Sequence, residues 1–172
     1  NVVYHDLSAD GNRLAVSMLD GTIETYDTGT GLLIHRFPPG KLTREVDLRF
    51  HPTEPLLLVF SYFHQHAEIR DSNTGITKGV ITPGWSSGMG GCNWSPNGKR
   101  IAVSQADNPS PQLHTQRIRI YDFTASDCIF TFIGEVQGKF AGMPFASFDP
   151  SGELMAARGW NGNGLLFDVS QR

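Results

Sequence analysis

Two short stretches carry the residue types that could bind a metal ion or perform catalysis. The first, His64-Gln65-His66, places two imidazoles on one side of an extended segment, a geometry that can bind zinc or copper. No Cys, Asp or Glu stands at ligand spacing around this pair, and His114 is the one further imidazole that a neighbouring loop would bring near. We therefore interpret the pair as solvated loop histidines, and we predict neither a metal site nor a cofactor.

The second stretch, from Gly84 to Gly91, has the glycine-rich composition of a phosphate-binding loop. It lacks the Lys-Ser/Thr that follows in such loops, and it leads into a strand, so no helix N-terminus would face an anion. Ser86 and Ser87 have no His and acid positioned to activate them as nucleophiles. The sequence therefore predicts a connecting loop here, no catalytic residue, and a protein that is not an enzyme.

An internal repeat predicts the elements that position these residues. Each copy reads as a large apolar residue, a tight polar turn and an apolar strand, and the copies span residues 7–17, 50–60, 94–104 and 148–158. Asp-Gly, Asn-Gly and Ser-Gly pairs in three of the turns supply the positive φ that a hairpin requires. A period of about 43 residues with several short strands in each copy is typical of small antiparallel sheets repeated along the chain.

A second anchor recurs further along each copy, where a large side chain precedes an aspartate. These aspartates are Asp27, Asp71, Asp122 and Asp168. Their regular spacing puts one at the end of the third strand of each copy, which indicates a role in a turn rather than a catalytic carboxylate pair. The third copy is longer than the others because residues 107–116 form a polar, proline-bearing insertion between two of its strands.

These repeats resemble the WD-repeat β-propeller family over essentially the whole chain. The family's closing Trp-Asp appears as Tyr-Asp, Arg-Asp, Tyr-Asp and Phe-Asp, and the Gly-His pair that usually opens its repeats is absent. The resemblance implies an all-β fold of four-stranded antiparallel blades, each with its first strand along a central channel. It also implies one unit over residues 1–172, with blades at about 1–40, 41–84, 85–135 and 136–172. Without the family's histidine network, blade cohesion is expected to depend more on apolar packing.

The fourth blade is expected to lack its outer strand, because the chain ends at Gln171-Arg172, just past the third strand. An open blade leaves an unpaired strand edge and uncovered sheet faces. Propellers of this family usually have six to eight blades, so we expect these four blades to be part of a larger ring. Further sequence or a second copy would complete the ring, and two copies would make a homodimer with eight blades.

One rim of such a propeller carries the irregular loops, including a predicted loop at 137–140 that follows an outer strand at 128–133. Recognition tends to lie in irregular loops on a regular scaffold, and exposed Trp and Arg are common interface anchors. The candidate binding residues on this rim are Arg44, His64, Trp85, Lys139 and Trp160. The alternative is that the two tryptophans only cap the blades beneath them.

Composition excludes several other functions. A net charge of −3 and a pI near 6.0 argue against a nucleic-acid partner. No apolar run reaches the roughly 18–20 residues of a membrane span and no signal peptide is visible, which favours no membrane partner and a cytoplasmic location. However, the chain opens at Asn1 rather than Met, so the compartment stays open. Cys92 and Cys128 are predicted on the innermost and outermost strands, too far apart for a disulfide.

The sequence thus predicts a non-catalytic protein–protein interaction scaffold, a fragment or half-ring of a larger or self-assembling propeller. The alternative is a propeller that binds a small molecule or catalyses a reaction in its central channel. That alternative requires polar residues of the first strands to converge on the axis, and the sequence offers few: Asp47 or Leu48, Asn93 or Cys92, and Ser147 or Ala146.

Overall fold

The computed structural model describes residues 1–38, 45–64, 66–84, 89–105, 114–140, 145–158 and 164–170. For residues 105, 114–116, 130, 132–140 and 145 it describes the backbone alone. Within these ranges the chain forms fifteen β-strands and no helix. The all-β prediction is confirmed, and the described part of the chain contains no helix that could span a membrane.

The strands form four antiparallel sheets, each with its strands in chain order. Sheet 1 comprises β1 (Val2–Leu7), β2 (Arg13–Met18), β3 (Ile23–Asp27) and β4 (Leu33–Phe37). Sheet 2 comprises β5 (Val46–Phe50), β6 (Leu56–Ser61), β7 (Ala67–Asp71) and β8 (Thr77–Ile81). Sheet 3 comprises β9 (Met89–Trp94), β10 (Arg100–Gln105), β11 (His114–Thr124) and β12 (Ile129–Phe140). Sheet 4 has three strands among the described residues, β13 (Phe145–Phe148), β14 (Leu154–Arg158) and β15 (Gly164–Asp168).

The first turn of each sheet is held by a side-chain acceptor at the same repeat position. Ser8 Oγ accepts a hydrogen bond from the backbone N of Arg13, and Ser95 Oγ accepts one from Arg100 N, both at 2.9 Å. In sheet 4 the carboxylate of Asp149 takes this role and accepts from Leu154 N at 2.8 Å. These bonds satisfy turn N–H groups that a short hairpin would otherwise leave unpaired.

The second anchor of the repeat also closes turns. Asp27 Oδ1 accepts from Thr30 N at 2.7 Å, and Asp71 Oδ1 accepts from Thr74 N at 3.0 Å. Asp122 differs, because its carboxylate forms an ion pair with Arg100 at 3.2 Å.

The sheets are stacked side by side through their first strands in a propeller-like arc, because β1 lies against β5, β5 against β9, and β9 against β13. Three apolar layers fill the gaps between successive sheets. The second strands supply much of this core, and β6 is buried along its whole length. Among the described residues the sheets do not close a ring.

The last two strands of sheet 3 depart from the prediction. Residues 137–140 were expected to form a loop, yet they belong to β12, and Lys139 lies opposite Thr115 of β11. The pairing of β10 with β11 stops at Ser104 and Ile118, so beyond that point β11 and β12 pair only with each other. Part of the predicted insertion is therefore a two-stranded ribbon, because the two strands satisfy each other's backbone groups without a third. Cys128 precedes β12 in a turn, with φ of 50°, and both cysteines are free thiols.

Protonation of buried His51 is expected to destabilise the fold. His51 Nδ1 accepts from the backbone N of Thr53 and of Glu54, and Nε2 lies 3.0 Å from the carbonyl O of Gly98, so the neutral ring satisfies both neighbours. Burial lowers the pKa of His51 below its ordinary 6.5. The unfolded chain therefore binds the proton more tightly, and this contribution to stability is complete above pH about 6.5 and lost as the pH falls further.

Urea unfolding at pH of about 7.5 and about 5.5 tests this expectation. The midpoint should fall more in the wild-type protein than in His51→Gln, whose side chain does not titrate. Equal losses in both proteins would show that His51 does not couple folding to pH.

Candidate functional site

Each sheet has two faces, and the internal repeat makes the same positions equivalent in all four. We call the face toward the preceding sheet the leading face and the face toward the following sheet the trailing face. In a strand, alternate residues point to opposite faces. Sheet 1 has no preceding sheet and sheet 4 no following sheet among the described residues, so one leading face and one trailing face are open. We call these two surfaces the end faces.

The trailing end face carries an exposed leucine at a position that is otherwise buried. Thr25, Ile69 and Ile120, at the centre of the third strand in sheets 1 to 3, are each 0% exposed. Leu166 is the equivalent residue of sheet 4 and is 68% exposed. Ala156, equivalent to the fully or almost fully buried Ala15, Leu58 and Ala102, is exposed as well. This face therefore has the side chains of an inter-sheet contact without a sheet against it.

The leading end face shows the same contrast. Leu7 at the end of β1 is 54% exposed, whereas its equivalents Phe50 and Trp94 are 8% and 9% exposed. Leu14 of β2 is half-buried, although Leu57 at the same position of sheet 2 is fully buried. Each end face thus exposes apolar side chains at positions that are buried in the middle sheets. Exposed apolar area of this kind is typical of a surface that contacts protein.

The space around the turn glycines is a second indication that the leading end face is uncovered. A Cβ added at Gly75 of sheet 2 would lie 2.2 Å from Phe37 of sheet 1, and one at Gly98 of sheet 3 would lie 2.2 Å from His51 of sheet 2. The equivalent turn glycines of sheet 1, Gly31 and Gly11, have nothing within 4 Å. The turns of sheets 2 and 3 therefore abut the preceding sheet, and the turns of sheet 1 face open space.

The charges on the leading end face are satisfied within sheet 1. Glu24 accepts hydrogen bonds from the Tyr26 hydroxyl at 2.5 Å and from Arg36 Nε at 2.7 Å. These bonds lower the pKa of Glu24, with the tyrosine contribution the largest. Sheet 2 repeats the arrangement at equivalent positions, where buried Glu68 pairs with buried Arg70 at 2.8 Å. The sheet 2 pair is covered by sheet 1, so such a cluster is compatible with burial between sheets.

Polar residues of the inner strands link each sheet to the next. The backbone N of Phe50 donates to Asp6 at 2.7 Å, Arg49 Nε donates to Asn93 Oδ1 at 3.3 Å, and Asn93 Nδ2 donates to the carbonyl O of Ala146 at 2.5 Å. Asp6, Arg49 and Asn93 occupy the same repeat position, and Ser147 occupies it in sheet 4. The series therefore runs along the axis side of the arc and reaches its last described member at the trailing end face.

Ionisable groups cluster on this axis side around the ion pair of buried Asp47 with partly exposed Arg49. Asp47 is almost fully buried, and its carboxylate accepts hydrogen bonds from Nη1 and Nη2 of Arg49, at 2.5 and 3.1 Å. Burial raises the pKa of Asp6, and burial with the nearby Asp47 charge raises the pKa of Tyr62 to about 12. A cavity of about 30 Å³ beside Asp47, Tyr62 and Asn93 has room for about one water molecule. Asp47 and Arg49 neutralise each other within this cluster, and Asp6, Arg49 and Tyr62 are ionisable groups that the sequence analysis did not name there.

A larger cleft of about 690 Å³ lies on the rim that carries the first and third turns of each sheet. Turns of sheets 2, 3 and 4 line it, with Glu54, Lys99 and Glu153 at its exposed edge. Arg100 also lines the cleft. Its guanidinium donates to the carbonyl O of Val169 at 2.6 Å, and this hydrogen bond links sheet 3 to sheet 4. The sequence analysis predicted the binding residues on the opposite rim.

The structure describes the side chain of one predicted binding residue. His64 is half-buried; its ring centroid lies 5.9 Å from that of His66, and its carbonyl O accepts from Met89 N. Arg44, Trp85 and Trp160 lie outside the described residues, and Lys139 is described by its backbone alone, within β12 rather than in a loop. The grouping of these five residues stays a prediction.

The histidine pair lies near the acidic residue Glu68. Glu68 Oε1 lies 3.8 Å from His66 Nε2, and among the described residues that nitrogen is buried without a hydrogen-bond partner. Glu68 also forms an ion pair with Arg70, so the negative charge of Glu68 is already compensated. Over the part of the chain that the structure describes, no three His, Cys, Asp or Glu residues form a group that could hold a metal ion.

Sequence reasoning did not single out the end-face residues. Leu7 and Leu166 read as ordinary members of the apolar repeat. The alignment of Leu166 with Ile69 and Ile120 was the available signal, because it marks a position buried in the middle sheets. The sequence analysis expected uncovered sheet faces but did not identify the side chains that they expose.

Many solved structures share this fold, among them the following two. The first is the crystal structure of the mitotic checkpoint complex, with a TM-score of 0.74 and 19% identity over 98% of this chain and 48% of that chain. The second is the crystal structure of the computationally designed Ika4 protein, with a TM-score of 0.72 and 15% identity over 98% of this chain and 91% of that chain. The present chain thus spans about half the length of the first. No family model and no curated protein matches the sequence. At these identities the likeness shows the fold alone.

Proposed function

We propose that this chain is a four-blade section of a WD-repeat-type β-propeller and that it acts as a non-catalytic protein-interaction scaffold. One observation carries the proposal: both end faces expose apolar side chains at positions that are buried in the middle sheets. Leu166 and Leu7 are the principal examples. An end face of this kind binds protein, because protein supplies the extended, shape-matched apolar surface that a sheet face requires.

The larger ring is part of this proposal. Sheets 2 and 3 are covered on both faces, and the same covering of sheets 1 and 4 requires further blades against the end faces. The neighbour from the mitotic checkpoint complex, of which this chain covers 48%, supports a longer assembly. That neighbour belongs to a complex, which is consistent with an interaction role for a related architecture.

The polar residues on the axis side of the arc are engaged with one another, which favours a binding role over catalysis. Asp47 and Arg49 neutralise each other, and both ends of the Asn93 amide form hydrogen bonds between sheets. A catalytic carboxylate or base needs a proton-accepting atom that is available to a substrate. In this network the polar atoms are engaged in holding the sheets together, so we assign it a structural role.

Photo-crosslinking in cells that produce the full-length protein tests the interaction role. A photoreactive phenylalanine analogue in place of Leu166 should yield protein adducts, because we expect that face to be covered by protein. The matched control is the same analogue in place of Leu32, which is also 68% exposed but lies in a turn, where the equivalent Ile76 of sheet 2 is exposed too. Adducts at position 32 alone, or at neither position, would contradict an interaction through the end face.

A further inference from the structure

We propose that the cleft between the turns of sheets 2, 3 and 4, here called the rim cleft, binds an extended polypeptide segment whose side chains alternate in charge. The rim cleft has a volume of about 690 Å³. Its walls come from three neighbouring sheets, so its existence does not depend on what covers the end faces. A site here goes beyond the proposed function, which concerns those faces.

Three charged side chains lie along the rim cleft, one from the first turn of each sheet. They are Glu54 of sheet 2, Lys99 of sheet 3 and Glu153 of sheet 4, and all three are exposed. Within the described part of the chain none of them belongs to an ion pair, whereas Arg100 and Asp122 in the same cleft pair with each other. The charges therefore run negative, positive, negative from sheet 2 to sheet 4. A complementary partner runs basic, acidic, basic.

A difference between the sheets accounts for the width of the rim cleft. Arg13 at the end of the first turn of sheet 1 donates to Ser72 Oγ in the third turn of sheet 2 at 3.2 Å. Its equivalent in sheet 3, Arg100, donates to the carbonyl O of Val169. In sheet 2 the equivalent residue is Leu56, whose side chain has no donor. No arginine at this position draws the third turn of sheet 3 toward sheet 2, and the cleft there is larger than the one of about 240 Å³ between sheets 1 and 2.

The lining of the rim cleft favours a polypeptide of mixed charge over other ligands. Its floor includes buried His51 and Phe123, whose ring centroids lie 5.6 Å apart, and its walls carry the exposed hydroxyls of Thr53 and Thr124. Hydroxyls both donate and accept, as the amides of a peptide backbone require. A small apolar ligand needs an enclosed apolar pocket, which these polar walls do not form. A polyanion would meet two glutamates, and a polycation would meet Lys99.

The spacing of the sheets sets the spacing of charges on the partner. Sheets that pack face to face lie about 10 Å apart, so Glu54 and Glu153 are separated by roughly 20 Å. A segment of about seven residues in an extended conformation spans this distance. In a polyproline II helix, residues three positions apart lie on the same side and are about 9.3 Å apart. A segment with one charge at every third residue therefore presents one charge to each sheet.

Three synthetic peptides with a fluorescent label test the site by fluorescence anisotropy. The first is Arg-Pro-Pro-Glu-Pro-Pro-Arg, in which the prolines keep the charges on one side. The second reverses every charge, and the third has the composition of the first in the order Arg, Arg, Glu. At an ionic strength of about 0.01 M, the first should bind at least about 10-fold more tightly than the second and at least about 3-fold more tightly than the third. Added salt should weaken its binding, because the pairs are exposed.

Charge reversal in the protein is the decisive comparison. The triple variant Glu54→Lys, Lys99→Glu, Glu153→Lys should bind the second peptide more tightly than the first. Its net charge rises by two from −3 and stays negative, so net charge alone cannot invert the preference. Circular dichroism checks that the variant stays folded, which the exposure of all three side chains favours.

A single neutral substitution provides a matched pair of variants. Glu153→Gln should weaken binding of the first peptide about 3-fold, the effect of one exposed ion pair. Asp20→Asn removes an exposed carboxylate on the opposite rim and retains an acceptor for the backbone N of Thr22, so it should leave the affinity unchanged.

Three results would overturn the rim cleft as a binding site. They are no saturable binding of the first peptide up to about 1 mM, equal binding of the first and third peptides, and a triple variant that keeps the wild-type preference. If the peptides fail while the analogue at position 166 crosslinks in cells, only the rim cleft is excluded. If the peptides bind as expected and position 166 yields no adducts, the rim cleft stands and the role of the end faces fails.

Discussion

Gly75→Ala is expected to lower the free energy of unfolding by about 3 kcal/mol, within a range of about 2–5 kcal/mol. Two costs add at this position. The backbone has a φ of +72°, where a residue with a Cβ is strained by about 1–2 kcal/mol. The new Cβ would also lie 2.2 Å from Cδ1 of Phe37, a fully buried ring of sheet 1. The ring has to move into a packed layer, which typically costs about 1–3 kcal/mol.

Gly31→Ala is the matched control, because Gly31 occupies the same turn of sheet 1. Its φ is +71°, and nothing lies within 4 Å of the added Cβ. Only the backbone strain remains, so a loss of about 1–2 kcal/mol is expected. Urea unfolding of both variants under identical conditions measures the difference. Equal losses would mean that Phe37 does not pack against the turn of sheet 2, and the stacking of sheets 1 and 2 described above would be wrong.

Arg49→Met is expected to cost about 3 kcal/mol, because it leaves the Asp47 carboxylate buried without its cation; the value is at the low end for a buried pair because the Arg49 side chain is 35% exposed. After the change Asp47 keeps the 2.7 Å hydrogen bond from Leu48 N but loses both guanidinium contacts. The bond from Arg49 to Asn93, which joins sheets 2 and 3, is lost as well. The methionine retains most of the aliphatic volume, so the loss reports charge and hydrogen bonding rather than a cavity.

A double variant that removes both Asp47 and Arg49 measures how strongly the two side chains interact with each other. The double variant Asp47→Ala with Arg49→Met should be less destabilised than the sum of the two single variants, because no buried charge is left alone. Arg36→Ala provides a control on an exposed arginine, whose pair with Glu24 should contribute at most about 1 kcal/mol. Additive losses in the double variant would show that the axis pair does not couple, and the inner strands would owe their order to packing alone.

Repetition explains why so much of the fold could be predicted. Each turn is specified by residues a few positions apart, such as Ser95 with Arg100 or Asp71 with Thr74. A sheet of sequential antiparallel strands needs no long-range information beyond this local order. The error in β12 has the opposite origin. The length of a strand depends on whether a neighbour pairs with it, and the partners of residues 137–140 are residues 114–117, most of which belong to the predicted insertion.

The prediction of the site was limited in the same way. Composition and loop irregularity pointed to one rim, and four of its five residues lie where the structure describes no side chain. Uncovered sheet faces were expected, but the exposed side chains on them were identified only by comparing equivalent positions in space. Leu166 and Ile69 have the same residue character and the same place in the repeat, yet one is 68% exposed and the other is buried. Exposure depends on whether another sheet is present, which no single repeat encodes.

The amino-acid sequence by itself determined the four repeats, the turn chemistry and the alternation that gives every sheet its apolar faces. These properties are local, because each arises from neighbouring φ angles, short-range hydrogen bonds and the two-residue period of a strand. The tertiary structure alone decided which residues the covered and the open faces contain, and how the polar residues of the inner strands link one sheet to the next. Those properties depend on contacts between residues more than 40 positions apart, such as Asp6 with Phe50 and Arg49 with Asn93. They exist only once the sheets have stacked.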